Sequence, residues 1–165
     1  MVRKLNEIQI EGRLKNAVAR LLDKRLIVPR VFIETQWPTS NRRVDVLAID
    51  RAGAGDIHCV EIKKNIESAY PMFPAFKTMP AHYKYVAFFY DGNLSKLMSR
   101  IDKVALYADD GIGRIGIIVA SDQGVDKSLT ATVLIEPERF RVDKRFYRLI
   151  DRFMESHTAD LEIRQ

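Results

Sequence analysis

The chain has little of what disulfide staples and transition-metal clusters are made from. Its single cysteine, Cys59, excludes an internal disulfide, and with only 3 histidines a zinc-finger-type ligand set is excluded as well. No apolar run approaches the length of a bilayer-spanning helix. Residues 1–25 are charged and patterned as a helix, unlike a signal peptide, so the expectation is a cytoplasmic protein without a membrane partner. There is no internal repeat, low-complexity segment or domain linker. What these absences leave open is hard-cation chemistry on carboxylates.

At 165 residues the expectation is one domain spanning 1–165, large enough to bury a core without staples. Hydrophobic residues make up 47% and charged residues 30%, as in ordinary globular proteins. The 27 Lys and Arg against 22 Asp and Glu give a net charge of +5, which tilts the expected partner towards a polyanion.

The most informative stretch runs from Arg43 to Lys64. Two arms rich in Val and Ile flank a break containing Gly53 and Gly55, the pattern of a β-hairpin with a longer loop. Folding about Gly53 and Ala54 sets position 45 opposite position 62, with Asp45 adjacent or diagonal to Glu61 and Lys63. Glu61 and Lys63 are two apart and share a sheet face. Two carboxylates and an ammonium in so small an area form a candidate site for a divalent cation. No other lysine in the chain has an acid two residues before it.

Around this hairpin the periodicities predict a helix over residues 6–25, a strand over Val31–Trp37, and a turn at 38–41. Glu7 and Glu11 lie along one side of that first helix. Either can lean over the element it packs on, or both are solvated first-turn acids. The prolines of residues 70–80 predict short or interrupted helices with buried aromatics. A buried strand over 85–90, a helix from Leu94 to near Gly111 and a strand over 114–120 form a crossover unit, so part of the sheet is parallel. A hairpin partner follows at 130–135, and a last helix starts near Val142. Arg141, Arg145, Arg148 and Arg152 form a stripe beside its apolar face. The stripe is either a track for a phosphate backbone or a solvated face partly neutralised by Asp143, Asp151 and Glu155.

The order helix, three-stranded meander, helix, strand, with Asp45 on the second strand and Glu61-Ile62-Lys63 on the third, resembles the PD-(D/E)XK nuclease superfamily. Small stand-alone members similar to Holliday-junction resolvases and DNA-repair nucleases are the nearest in pattern. The resemblance covers about residues 7–120, with Val44 in place of the motif's proline and no Gln-x-x-x-Tyr after the third strand. It implies an α/β, restriction-endonuclease-like fold: a mixed central sheet with an αβββαβ core flanked by helices, plus an added helix, β-hairpin and C-terminal helix. It also implies Mg²⁺- or Mn²⁺-dependent hydrolysis of DNA phosphodiester bonds to 5′-phosphate products, in repair, recombination or defence.

In that reading Asp45, Glu61 and the carbonyl of Ile62 hold the ion. Lys63 orients the attacking water, and Glu11 matches the glutamate that many members carry on the first helix. Arg43, Lys64 and the four arginines of the last helix are candidate phosphate contacts, with Arg42 a weaker one. Relatives of this size often act as homodimers, and a protein partner can supply specificity. The alternatives are a non-catalytic nucleic-acid-binding module on the same fold, or a protein-interaction domain.

Overall fold

In the computed structural model, residues 7–37, 42–51, 55–122 and 128–157 are described. Helix α1 (Glu7–Arg25) buries Leu14, Ala17, Val18 and Leu22, the helical spacing expected of one apolar face. Glu7 in its first turn and Lys24 and Arg25 in its last complement the helix dipole. The strands β1 (Pro29–Gln36), β2 (Arg43–Asp50), β3 (Asp56–Ile62), β4 (Tyr83–Phe89), β5 (Gly116–Asp122) and β6 (Leu129–Ile135) follow. They form one six-stranded sheet in sequence order.

β1, β2 and β3 pair antiparallel, β3, β4 and β5 pair parallel, and β6 returns antiparallel on β5. Parallel strands need a crossover between them. The first runs through α2 (Ile66–Ala69), a 3₁₀ turn (Tyr70–Met72) and α3 (Phe73–Lys77). Pro71 and Pro74 fall in the first turns of the 3₁₀ segment and of α3, where a missing N–H costs nothing. The second crossover contains α4 (Leu94–Arg100) and a 3₁₀ turn (Val104–Leu106). The last helix, α5, spans Arg145–Ser156.

Both faces of the sheet are covered. On one, α1 packs over Val46, Ala48, Val60, Tyr85, Ala87 and Ile118. On the other, Phe73 and Phe76 of α3, Leu97 of α4, and Ile150 and Phe153 of α5 join Leu47, Cys59, Val86 and Ile117. That two-sided burial is why β4 reads as a continuous apolar run rather than an alternating one. Trp37 is buried, as a core anchor would be. Among the described residues no helix is long and apolar enough to cross a membrane.

Three expectations are corrected. The helix starting at Leu94 ends at Arg100, because Ile101 turns extended (ψ 118), and Val104 is 80% exposed rather than part of an apolar stripe. The strand expected from Arg114 begins at Gly116, since Arg114 is used in isolated bridges to Tyr107 and Glu138. The last helix begins at Arg145, not near Val142, so Arg141 precedes it. The hairpin register also differs by one residue. Val46 faces Val60 and Asp50 faces Asp56, where the expected fold about Gly53 and Ala54 would have set Val46 opposite Glu61. The ladder ends at the Val46–Val60 pair, and just beyond it Asp45 accepts from the N–H of Ile62 and its side chain meets that of Glu61. The predicted turn at 38–41 and the hairpin tip at 52–54 lie outside the described residues.

Candidate functional site

The start of β2, the end of β3 and the first turns of α1 surround a cleft of about 810 Å³. Its lining includes Glu7, Glu11, Asp45, Glu61, Ile62, Lys63 and Lys64, with Ile10, Leu14 and Phe89 as apolar walls. Seven of the residues singled out in the sequence therefore meet in one place, although 34 positions separate Glu11 from Asp45.

Asp45 is partly exposed, and its Oδ2 accepts a hydrogen bond from the main-chain N–H of Ile62 at 2.8 Å. Glu61 is only 7% exposed, since β3 is flanked by strands on both sides. Burial, and then the charge of Asp45, push the Glu61 carboxyl up to about 7, against smaller opposing effects of Arg42 and Lys63. A hydrogen bond between the Glu61 and Asp45 side chains also favours the protonated form. Arg42, just before β2, places its Nη2 3.4 Å from Glu61 Oε1. Lys63 is half-buried and continues the sheet, its N–H donating to Ala87 O at 2.9 Å.

The acids of α1 are both engaged. Glu7 pairs with Lys64 at 3.1 Å, an exposed contact worth little by itself. Glu11 Oε1 lies 2.7 Å from the ammonium of Lys15, a residue that sequence reasoning passed over. Lys15 also meets Glu34 Oε1 at 2.7 Å and Asp45 Oδ1 at 3.5 Å, with its side chain 8% exposed. Burial would lower its pKa. The hydrogen bonds of Glu11 and Glu34 and the charges of Asp45 and Glu11 outweigh that and raise it, so the ammonium is permanent. The available signal was its position beside Leu14 on the apolar face, four residues after Glu11. Glu34 carried none: its left-handed backbone (φ 51) within a strand is not readable from residue type.

Arg43 is exposed and bonds Glu34 through its carbonyl (3.2 Å) and carboxylate (3.4 Å) instead of lining the cleft. Arg145, Arg148 and Arg152 are exposed on α5, and Arg141 is exposed ahead of it; none lines the cleft. The buried face of α5 packs on β1, with Phe153 edge-on to Phe32 at 5.2 Å. Its Ile150 and Met154 border a separate cleft with Ile49 and Gly55, near the hairpin tip. The arginine stripe and the acidic cleft thus belong to different regions of the surface.

The donors in the cleft are hard oxygens. Among the described residues no group of three or more His, Cys, Asp and Glu is arranged to hold a metal. What the cleft does offer is two neighbouring carboxylates, the charge of Asp45 being the second cause, after burial, that pushes the Glu61 carboxyl up, and a cation would relieve that repulsion.

No protein-family model and no curated protein matches the chain. Among solved structures, a protein of unknown function from Silicibacter pomeroyi is similar in fold, with a TM-score of 0.59 and 16% identity, over 90% of this chain and 86% of that one. The likeness establishes a shared α/β architecture.

Proposed function

We propose that this chain is a divalent-metal-dependent nuclease that hydrolyses DNA phosphodiester bonds. The observation that carries the reading is the Asp45–Glu61 pair, two carboxylates from neighbouring strands that line one cleft together with Lys63 and Lys64. Lys15 at 3.5 Å from Asp45 and Arg42 at 3.4 Å from Glu61 offset part of the cost of keeping two acids there, and a divalent ion would offset the rest. The arrangement of meander, crossovers and helices on both faces supports the restriction-endonuclease-like form of the fold and the PD-(D/E)XK resemblance.

Asp45, Glu61 and the carbonyl of Ile62 would hold Mg²⁺ or Mn²⁺. When bound, such an ion lowers the pKa of a coordinated water and stabilises charge growing on the phosphate. Asp45 is oriented for this by the Ile62 N–H, so its carboxylate needs no reorganisation. Lys63, two residues along from Glu61, orients the attacking water and offsets phosphate charge. Lys64 supplies positive charge at the rim, where a phosphate backbone would pass. DNA repair, recombination or defence against foreign DNA are processes that use this reaction.

One observation favours a second reading, a non-catalytic nucleic-acid-binding module. Lys15 already places a cation 3.5 Å from Asp45, so part of the acidic charge is balanced by the protein itself. Mg²⁺ titrated into wild type and Asp45→Asn, with labelled single-stranded, duplex and branched DNA, decides between the two. Cleavage by wild type that disappears in the variant is expected; equal cleavage by both proteins, or none by either, sinks the catalytic reading.

A further inference from the structure

The cleft contains a cation of the protein's own, and it comes from α1. The ammonium of Lys15 faces three carboxylates, Glu11 at 2.7 Å, Glu34 at 2.7 Å and Asp45 at 3.5 Å. An ammonium has three N–H bonds and no lone pair, so these three acids match its whole donor capacity. Glu34 reaches it from a backbone conformation that L residues avoid, φ 51. That residue interrupts the β1–β2 ladder between the pairs Ile33–Val46 and Thr35–Val44, level with Asp45. An irregularity in the strand next to the candidate ligand thus serves to aim a carboxylate at Lys15.

The consequence falls on the ligand pool. Glu11 is the acid that would serve an additional ion, and it is committed to Lys15, as is Glu34. Asp45, the most distant of the three from Lys15, and Glu61 remain as the neighbouring carboxylates for an ion. Two negative charges balance one divalent ion. A second ion would sit against both the first and the Lys15 ammonium, with Glu11 and Glu34 already engaged.

We propose that Lys15 is a positioning residue that limits this site to one divalent cation, its ammonium taking the place of a second. The inference rests on the metal-dependent reading of the cleft. It assigns a role to a residue outside the acid-x-Lys motif, and its readout is an ion count rather than an activity.

Mn²⁺ alone, titrated into the full chain and followed by the electron paramagnetic resonance of the free ion and by calorimetry, provides the test. Wild type takes up one ion per chain. Lys15→Met keeps an apolar stem but frees Glu11, while Glu34 keeps Arg43, and it takes up two; adding Glu11→Gln returns the count to one. Lys15→Arg retains the charge and one ion. Glu11→Gln alone shifts wild-type affinity by less than about twofold, whereas disturbing a true ligand set costs on the order of 10- to 100-fold. A purely structural Lys15 would alter stability without altering the ion count.

Two ions in wild type, one ion in a folded Lys15→Met, or a tenfold loss in Glu11→Gln overturns the proposal and leaves a metal-dependent enzyme standing. No uptake by wild type, with no difference from Asp45→Asn, removes the metal site and this proposal together. Should circular dichroism show that Lys15→Met is unfolded, the wild-type count with Glu11→Gln and Lys15→Arg decides.

Discussion

The main-chain N–H of Ile62 donates to Asp45 Oδ2 across 2.8 Å, so the backbone of one strand orients the acid of its neighbour. Removing the carboxylate therefore has a structural as well as a chemical effect. Asp45→Asn retains an acceptor for that N–H and Asp45→Ala does not, while both remove the charge. Asp45→Ala is expected to be less stable than Asp45→Asn by about 1 kcal/mol, read from urea unfolding midpoints at constant m. Equal stabilities would mean that this hydrogen bond does not hold the carboxylate in place.

Glu61 makes the fold pH-dependent. Its carboxyl is pushed up to about 7 from an ordinary value of 4.5, so between these limits the native chain binds more protons than the unfolded one. The stability this group contributes is fully present below 4.5 and is lost as pH rises through 7. Glu61→Gln should flatten that slope and raise stability at pH 8 by roughly 2 kcal/mol, allowing for residual solvent access. Thermal unfolding across pH 4–8 would show it. Asp45→Asn should shrink the same slope, because the charge of Asp45 is the second cause of the shift.

Lys84 tests the opposite sign. It lies on β4 at 1% exposure, donating to Lys77 O at 2.5 Å, with its ammonium 4.0 Å from the centre of the Phe140 ring. Burial pulls its pKa down to about 8 from 10.5. In that window the unfolded chain binds more protons, so this group's contribution is present above 10.5 and lost as pH falls through 8. Lys84→Met should remove the rise in stability between pH 8 and 10.5. A slope unchanged by the substitution would place the ammonium in better contact with water than its burial indicates.

The basic residues divide between the cleft and α5. Replacing Arg145, Arg148 and Arg152 together by alanine is expected to reduce the slope of log affinity for duplex DNA against log salt by roughly 2, if at least two of them contact phosphates. Lys64→Ala should weaken both binding and cleavage, since Lys64 lines the cleft. An unchanged salt slope in the triple variant would make the stripe a solvated face, as its ion pair between Arg145 and Asp143 at 3.4 Å already is in part.

The sequence by itself determined the elements wherever a period repeats. The apolar spacing of α1, the two β-rich arms about Gly53 and Gly55, and the unbroken run of β4 each declare a local conformation through side-chain pattern alone. It also determined that Asp45, Glu61 and Lys63 would lie close, because hairpin partners separated by a short loop have few places to go. Tertiary structure decided what depends on exact pairing and on distant partners. The register that pairs Val46 with Val60 differs from the expected one by a single residue, a choice made by packing on both faces of the sheet. The length of α4 was decided where Ile101 turns extended, although helical spacing continued past it in sequence. Lys15 looked like one more charge on an amphipathic helix. Only the fold brings Glu34, nineteen residues away, and Asp45 around its ammonium, and the energy of that grouping exists only once water has been excluded from between them.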